Sequence, residues 1–405
     1  LNGQGPLADK KGYGFDGCSP NILLARAQVQ DGRIVFPGGT SYRMLVLPRF
    51  ETMTPRLLEK IIELVEAGAV VLGAPPMASP SLSGYPQCDA QVQELAEKLW
   101  GKTPLPERTV GKGRILTDRF VAPSSDDAVQ LPDASAPSLY PDYATTASLL
   151  AEMGVPEDFQ STSGRTVRFT HRRTGDKDIY FVANTSDEKL ETTCTFRVKH
   201  GSPQLWNAVT STIRALPQFT HAEGTTSVPM SFEPHESFFV VFSDDSELTA
   251  LEAGSVNFPK STRLSTLEGA WDVSFDPKWG GPEDVTFDSL LDWTEHPDRG
   301  IKYYSGIATY RKEFTLSDTG RNQTTWLELG TVHDIARVRL NGKDLGVVWC
   351  APWRVDITAT LHSGNNQLEI QVANRWPNRL LGDQQPPDKD MRVVKWESGL
   401  LSGKE

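Results

Sequence analysis

The sequence has few cysteines, no long apolar run and no excess of basic residues. The formal net charge of −11 argues against a nucleic-acid partner, because a phosphate backbone requires clustered Lys and Arg. No apolar run approaches the roughly 20 residues that a bilayer-spanning helix needs, so no membrane partner is expected. With 38% hydrophobic and 23% charged residues, the 405-residue chain has the composition of a soluble globular protein of two or three domains.

The cysteines are far apart and form no C-x-x-C pair; they are Cys18, Cys88, Cys194 and Cys350. This spacing argues against a zinc-finger type of metal site. We predict isolated buried thiols. A disulfide stays open as an alternative, because sequence alone does not fix the distance between two thiols.

The chain begins at Leu1 with a polar, glycine-containing segment. A charged n-region followed by an apolar h-region is not visible there, so the sequence shows no signal peptide. Because the first residue is not Met, we expect a fragment or a processed chain.

Residues 1–160 alternate short apolar runs with helical patterns, which predicts an open α/β domain with a parallel sheet. Its clearest unit is a strand at Tyr42–Pro48, a helix that begins after Thr54, and a second strand at Ala69–Gly73. Further elements are expected at Ile22–Ala27, Val92–Leu99, Arg114–Thr117 and Thr145–Met153.

This first domain carries no motif for chemistry. The strands end in Pro48–Thr52 and Gly73–Pro76, and neither is a glycine-rich nucleotide loop. An amidotransferase-like fold would need a cysteine nucleophile at a strand-to-helix turn, and neither Cys18 nor Cys88 follows an apolar strand. We therefore expect a flavodoxin- or amidotransferase-like domain without catalysis.

Residues 161–246 contain several short β patterns separated by turn signals, which predicts a small β-sandwich. The histidines of this region match no metal-ligand spacing, so we expect solvated or hydrogen-bonded side chains; they are His171, His200, His221 and His235. The polar residues 247–261 are predicted to be a linker.

Residues 262–405 predict a larger β-sandwich of jelly-roll type. Alternating runs surround Asn341-Gly342, a dipeptide that favours a two-residue type I′ hairpin because both residues tolerate positive φ angles. Trp with Asn, Arg and Asp suits a sugar, whose C–H faces pack on rings and whose hydroxyls need polar partners. Covering the ends of the sandwich is the competing role for these rings. The candidate sugar-binding or domain-facing residues are Trp279, Trp353, Asn374, Trp376, Asn378, Arg379 and Asp383.

Several stretches resemble known carbohydrate enzymes. Tyr304–Phe314, Val338–Gly346 and Val355–Thr358 are similar to the sugar-binding jelly-roll of family 2 glycoside hydrolases. A more specific set resembles the C-terminal half of family 106 α-L-rhamnosidases; it consists of Phe275-Asp-Pro-Lys-Trp-Gly-Gly-Pro282, Gly300-Ile-Lys-Tyr-Tyr-Ser-Gly306, Asn374-Arg-Trp-Pro-Asn-Arg-Leu-Leu-Gly-Asp383, Ser41–Pro48, Glu51–Thr54 and Leu82–Pro86.

This resemblance implies an inverting hydrolase that releases terminal α-L-rhamnose, with rhamnose-containing glycans or glycosides as substrates and a secreted or periplasmic location. Family members place their catalytic carboxylates in a (β/α)₈ barrel, which this sequence lacks. We therefore assign no catalytic residue and expect the chain alone to be inactive, with the barrel as a partner domain. The resemblance also implies calcium near the sugar. Within this chain no calcium ligand is assigned, since the acidic loop Asp276–Asp288 lacks an EF-hand alternation.

Two other functional classes stay open. The generic jelly-roll pattern also fits an accessory part of a β-galactosidase- or β-glucuronidase-like hydrolase. A stand-alone carbohydrate-binding or structural module is the second alternative.

Overall fold

A computed structural model describes residues 12–117, 140–141, 143–244, 255–317 and 323–385. The chain divides into two compact units, the first within Leu1–Ala183, Glu191–Met230 and Ser237–Asn257 and the second within Asn184–Leu190, Ser231–Glu236 and Phe258–Glu405. Residues 247–254 of the predicted linker lie outside the described ranges. In those ranges, no helix combines the length and the apolar character that crossing a bilayer would take.

The first part of the first unit combines short strands with helices. Its elements are α1 (Pro20–Arg26), β1 (Gln28–Gln30), β2 (Arg33–Val35), β3 (Ser41–Tyr42), β4 (Leu45–Val46), α2 (Pro55–Ala67), β5 (Val70–Leu72), α3 (Gln87–Trp100), β6 (Glu107–Val110), β7 (Gly113–Leu116) and α4 (Tyr143–Glu152). The strands β4, β5 and β7 pair in parallel, and β6 adds to β7 in the antiparallel sense. A separate antiparallel sheet contains β1, β2 and β3.

Helix α2 follows from its local sequence. The Thr54 hydroxyl accepts a hydrogen bond from the Leu57 amide, Pro55 occupies the first turn, and Gly68 ends the helix with a φ of 127°. Its apolar face is buried in the core beside α3, β5 and β7; the buried residues are Leu58, Ile61, Ile62, Leu64 and Val65. The spacing of apolar residues therefore predicted this helix correctly.

The single strand expected at Tyr42–Pro48 is wrong. Ser41–Tyr42 pairs with β2 in the antiparallel sheet, whereas Leu45–Val46 pairs with β5 in the parallel one. The chain thus changes sheets between Tyr42 and Leu45, and an apolar run alone does not reveal such a change.

The second part of the first unit is a β-sandwich. Its strands are β8 (Phe159–Ser161), β9 (Val167–Thr174), β10 (Lys177–Asn184), β11 (Leu190–Phe196), β12 (Ser202–Asn207), β13 (Thr212–Ala215), β14 (Thr220–Ala222), β15 (Thr225–Phe232) and β16 (Ser237–Ser243). One sheet has the order β13-β12-β16-β10-β9 and the other β14-β15-β11-β8. Rings from both sheets meet between them: Phe196 lies 4.9 Å from Tyr180 and 5.2 Å from Phe242, measured between ring centroids.

The second unit is built on an antiparallel sheet. Its elements are β17 (Trp271–Ser274), β18 (Val285–Phe287), α5 (Arg299–Lys302), β19 (Ile307–Leu316), β20 (Trp326–Glu328), β21 (Ile335–Leu340), β22 (Lys343–Val348), β23 (Arg354–Asp356), β24 (Gly364–Ala373) and α6 (Pro377–Asp383). The sheet order is β18-β17-β19-β24-β21-β22, and β20 pairs with β23 in a second sheet. Side chains of both sheets, such as Val338, Leu368 and Leu327, belong to one apolar core.

The Asn341-Gly342 hairpin is confirmed. Leu340 pairs with Lys343, and the two turn residues have φ angles of 52° and 79°, as a type I′ turn requires. The Asn341 side chain also donates to the Thr360 carbonyl and to Asn366 Oδ1, both at 2.9 Å, and accepts from the Gln367 amide. The residue predicted as a turn former therefore also anchors the start of β24.

The cysteines are free in the structure. Cys88 and Cys194 are buried as expected, but the same prediction is wrong for Cys18, which is exposed. Cys18 immediately precedes Ser19, the N-cap of α1. A residue at this position lies outside the helix, and its side chain is not drawn into the core.

We predict that Asn341→Gly lowers the free energy of unfolding of the second unit by about 1–3 kcal/mol, since it keeps the positive φ but removes the side-chain hydrogen bonds. The matched control Gly342→Asn keeps a residue that tolerates this φ and removes no hydrogen bond, so a change below about 0.5 kcal/mol is expected. Urea denaturation followed by Trp fluorescence measures both. Equal effects of the two substitutions would contradict the anchoring role.

Candidate functional site

Three loops that the sequence places far apart converge around Tyr303 and Tyr304. Tyr304 is buried, its hydroxyl donates to the Ile307 carbonyl at 3.1 Å, and it accepts from the Asp276 amide at 3.2 Å. Its ring lies 4.9 Å from that of Phe275. Burial raises the pKa of the Tyr304 hydroxyl. This group is therefore a neutral structural link between loop 275–282 and β19.

The loop after β24 is joined to the loop before β19 by hydrogen bonds. Asn374 accepts from the Gly306 amide at 3.0 Å and donates to the Tyr304 carbonyl at 2.9 Å. The Ser305 hydroxyl donates to the Arg375 carbonyl and accepts from the Arg379 amide, each at 3.0 Å. Asn374 thus satisfies backbone groups of its own unit, which is a scaffold role.

Two glycines allow these loops to approach so closely. A Cβ atom built on Gly281 would lie 2.4 Å from Cβ of Phe275, and one built on Gly382 would lie 2.6 Å from Cβ of Tyr303. Both distances are far shorter than any van der Waals contact, so only glycine fits. The glycines of the Trp-Gly-Gly-Pro and Leu-Leu-Gly-Asp stretches are therefore needed for packing.

Arg379 is 7% exposed and lies at the centre of the cluster. Its Nε is 3.0 Å from a carboxylate oxygen of Asp383, and Nη1 donates to the Trp279 carbonyl at 3.4 Å. Its Nη2 is buried and has no hydrogen-bond partner among the described residues. Arg379 thus joins helix α6 to the loop that carries Trp279.

Trp279 and Trp376 form an aromatic corner above this scaffold. Their ring centroids are 5.6 Å apart and the ring planes make an angle of 72°, which is the edge-to-face arrangement that the ring quadrupoles favour. Trp376 is 52% exposed, while Trp279 is partly buried in the core of the second unit. The pair presents an aromatic face to solvent on a rigid support, so it is suited to contact a sugar ring or a protein surface.

The remaining predicted site residues differ in their placement. Asn378 is half-buried in the first turn of α6, beside Arg379. Trp353 lies before β23, and its carbonyl accepts from the Leu329 amide at 2.7 Å. No described contact joins Trp353 to the aromatic corner. The structure therefore brings together Trp279, Asn374, Trp376, Arg379 and Asp383, and leaves Trp353 apart.

The carboxylates near this cluster do not form a metal or acid–base site. Asp383 is held by Arg379, and Asp276 accepts from the Lys278 amide as the cap of a short 3₁₀ helix. Within the described ranges, no three His, Cys, Asp or Glu side chains gather as a metal ion would require. Asp383 and Asp276 therefore do not belong to a gathered set of carboxylates within the described ranges.

A polar cluster in the first unit is not predicted by the sequence. His171 lies 3.0 Å from Asp158 through Nδ1 and 2.9 Å from Asp178 through Nε2, and it stacks on Tyr180 with centroids 4.0 Å apart. Arg197 and the Tyr180 hydroxyl also reach Asp158, at 2.9 and 3.1 Å. The expectation of a hydrogen-bonded histidine is confirmed for His171. Its partners come from β10 and from the segment before β8, so no local pattern could reveal the whole cluster.

This cluster shifts the pKa values of its members. Burial alone would lower the pKa of His171, but hydrogen bonds to Asp158 and Asp178 outweigh it, so the pKa is raised above 6.5. Burial would raise the pKa of Asp158, but the hydrogen bond and charge of His171 and the charge of Arg197 outweigh it, so the pKa is lowered. The two shifts therefore favour the charged forms of the His171 imidazole and the Asp158 carboxylate.

We predict that the first unit loses stability as the pH rises. Because the folded pKa of His171 is raised, its contribution is complete below about pH 6.5 and is lost as the pH passes through the raised value. The contribution of Asp158 is lost at the acid end, as the pH falls through its lowered pKa. Calorimetry from about pH 6 to pH 9 should show this decline, and His171→Asn should flatten it. A wild-type melting temperature that is constant over this range would refute the assignment.

Trp376 of the aromatic corner and Arg379 of its scaffold should respond differently to substitution. Trp376→Ala removes a half-exposed ring, and we expect a loss of at most about 1 kcal/mol in the free energy of unfolding. Arg379→Met removes a buried donor to the Trp279 carbonyl, and a loss of about 1–3 kcal/mol is expected. Urea denaturation of the two variants makes the comparison. A larger loss for Trp376→Ala would show that this ring is part of the core.

Residues 6–142 and 139–221 match the model of glycoside hydrolase family 106, described as alpha-L-rhamnosidase. Residues 300–398 match the galactose-binding domain-like model of family 2 glycosyl hydrolases. The two matches cover the first part of the first unit, most of the sandwich and the part of the second unit that contains Trp376, but not Trp279.

Individual relatives are longer than this chain. The structure of a rhamnosidase from Novosphingobium sp. PP1Y is similar with a TM-score of 0.72 and 31% identity, over 94% of this chain and 34% of that one. A protein of Formosa agariphila named "Putative beta-glucuronidase" is 24% identical, over 94% of this chain and 49% of its own length. This chain thus spans about half of one relative and a third of the other. Since the family 106 model matches more than half of its residues, the chain belongs to the family 106 α-L-rhamnosidases of glycoside hydrolases.

Proposed function

We propose that this chain is the non-catalytic C-terminal portion of a glycoside hydrolase that removes terminal α-L-rhamnose with inversion. Family membership and the similarity to a rhamnosidase structure support the substrate and the reaction class. The relatives extend well beyond the matched region, which leaves room for a catalytic barrel elsewhere in the longer protein.

The chemistry of the aromatic corner and its scaffold supports the proposal that catalysis takes place in another part of the longer protein. Inversion needs an acid and a base, about 6.5–9.5 Å apart, on opposite sides of the scissile bond. Asp383 is the one carboxylate among the predicted site residues, and its charge is engaged by Arg379. One carboxylate that is already bound by a guanidinium does not supply both an acid and a base. The cluster therefore supports binding or docking and does not support proton transfer.

The finer organisation is also a proposal. We place an open α/β domain of the flavodoxin or amidotransferase type at 1–160, a small sandwich at 161–246, a linker at 247–261 and a jelly-roll at 262–405. The parallel pairing of β4, β5 and β7 and the sheet order of the second unit support these assignments. Trp279 and Trp376, with the scaffold of Asn374, Asn378, Arg379 and Asp383, would face the barrel or its glycan. Trp353 would act separately.

Calcium and cell location follow the family resemblance. Because the described residues offer no suitable ligand group, we assign any calcium ion to the barrel and derive no step through it. Export to the periplasm or medium is proposed for the longer protein, where rhamnose-containing glycans would be its substrates.

Hydrolysis of 4-nitrophenyl α-L-rhamnopyranoside tests the proposal. We expect no turnover by the 405-residue chain, and turnover by a polypeptide that contains this chain together with the proposed barrel. NMR of the first-formed sugar should show inverted anomeric configuration. Turnover by the 405-residue chain itself would refute the non-catalytic role, and an inactive longer protein would refute the rhamnosidase assignment.

One alternative has a specific observation in its favour. The name of the Formosa agariphila relative and the family 2 domain match point to a β-glucuronidase-like parent. The same assay with 4-nitrophenyl β-D-glucuronide and β-D-galactoside distinguishes the classes. Preference of the longer protein for either β-linked substrate would favour this alternative.

A further inference from the structure

The outward face of the six-stranded sheet carries an apolar row that the described residues of its own unit leave exposed. Ala373 on β24 pairs with Ile307 on β19 and with Ile335 on β21, so these three side chains lie side by side on one face. Trp349 follows Val348, which pairs with Ala336, and strand alternation places Trp349 beside Ile335. We call Ile307, Ala373, Ile335 and Trp349 the apolar row.

The exposure of these side chains is unusual for their type. Ile307 is 55% exposed, Ile335 44% and Trp349 59%, and Val347 in the next row is 52% exposed. The neighbouring residues Ala308, Ala336 and Val338 point to the core and are buried, so the alternation is strict. Scattered single apolar residues are common on surfaces, whereas these are aligned on adjacent strands.

The rest of this face is polar and already neutralised. Glu369 lies 3.1 Å from Arg311 and 3.3 Å from Arg339, its partners on the two neighbouring strands. Arg337 is paired with Asp344. Polar groups engaged in this way offer little to the hydroxyls of a sugar, and Trp349 is the one side chain of the row with a ring on which a sugar could stack. The apolar row is therefore suited to a protein surface more than to a glycan.

The size of the row indicates which kind of protein surface could bind to it. Adjacent strands are about 4.8 Å apart, so four strands span roughly 14 Å, and two residues along a strand add roughly 7 Å. The resulting area is on the order of 100 Å², far below the roughly 800 Å² per partner of a stable complex between separate molecules. A segment of the same polypeptide needs much less area, because its effective concentration is already in the millimolar range.

We propose that the apolar row is a docking surface for the remaining part of the longer family 106 polypeptide. The matched relatives supply such a remainder, since this chain covers 34% of one and 49% of the other. The row also lies next to the scaffold of the aromatic corner, because Ala373 directly precedes Asn374 and Ile307 directly follows Gly306. This inference rests on the proposed function, which makes this chain part of a larger enzyme.

Hydroxyl-radical footprinting with mass spectrometry tests the surface directly. We expect oxidation of Ile307, Ile335 and Trp349 to be several-fold slower in the longer protein than in the 405-residue chain. Trp326, which is 40% exposed on the other sheet, provides the control and should be oxidised equally in both. Equal oxidation of Trp349 in the two proteins would overturn the proposal.

Paired variants separate docking from folding. Ile307→Gln/Ile335→Gln should leave the melting temperature of the 405-residue chain unchanged and lower that of the longer protein by several degrees. The control Thr315→Gln lies on the same strand and face, eight residues from Ile307, and should change neither. Unchanged melting of the longer double variant would overturn the docking surface.

The remaining outcomes are also informative. Protection of the row in the 405-residue chain alone, together with a dimer mass at high concentration, would assign the surface to a second copy and overturn the proposal. A longer protein that lacks rhamnosidase activity but protects the row would refute the proposed function and retain the docking surface.

Discussion

The pairing of β19 with β24 is the constraint on which the second unit depends. Ten consecutive residue pairs join Ile307–Leu316 to Gly364–Ala373, strands separated by about fifty residues of chain. This register fixes both ends of the pair at once. Gly306 and Asn374 come together at one end, where the Asn374 amide satisfies backbone groups of the adjacent loop. The aromatic corner and the apolar row both begin at this end. A slip of the β19–β24 register by one residue would turn every outward side chain of the shifted strand toward the core.

Local sequence predicted the elements that local physics determines. Thr54-Pro55 and Gly68 define helix α2, and Asn341-Gly342 defines a hairpin, because caps and positive φ angles depend on a few neighbouring residues. The division of Tyr42–Pro48 between two sheets could not be predicted, since it depends on which distant strand each half meets. The same holds for the cluster around His171, whose partners come from β10 and from the segment before β8.

Only part of the candidate site could be predicted, because its contacts also join segments that are distant in the sequence. The family-like stretches that contain Trp279 and Trp376 were identified as residues, but their edge-to-face contact depends on the folded position of both loops. Asn374 and Arg379 have the polar character expected of ligand-binding residues. In the structure they support the loops instead, because each is within hydrogen-bond distance of groups of its own unit. Composition shows that a loop is polar and aromatic. Only the folded geometry shows which of its side chains support the loop and which are exposed for binding.

The β-bulge between β21 and β22 has a consequence for how this sheet meets other molecules. The register shifts between Arg337 and Arg339, and β22 beyond the shift carries Lys343 and Asp344 on an exposed edge. A bulge and charged side chains interrupt the regular row of free amide and carbonyl groups that another strand would need. On the opposite edge, β18 is three residues long. Both edges are thus poor templates for strand addition, so the sheet resists edge-to-edge aggregation. Its face, and not its edges, is the part available for contact with other surfaces.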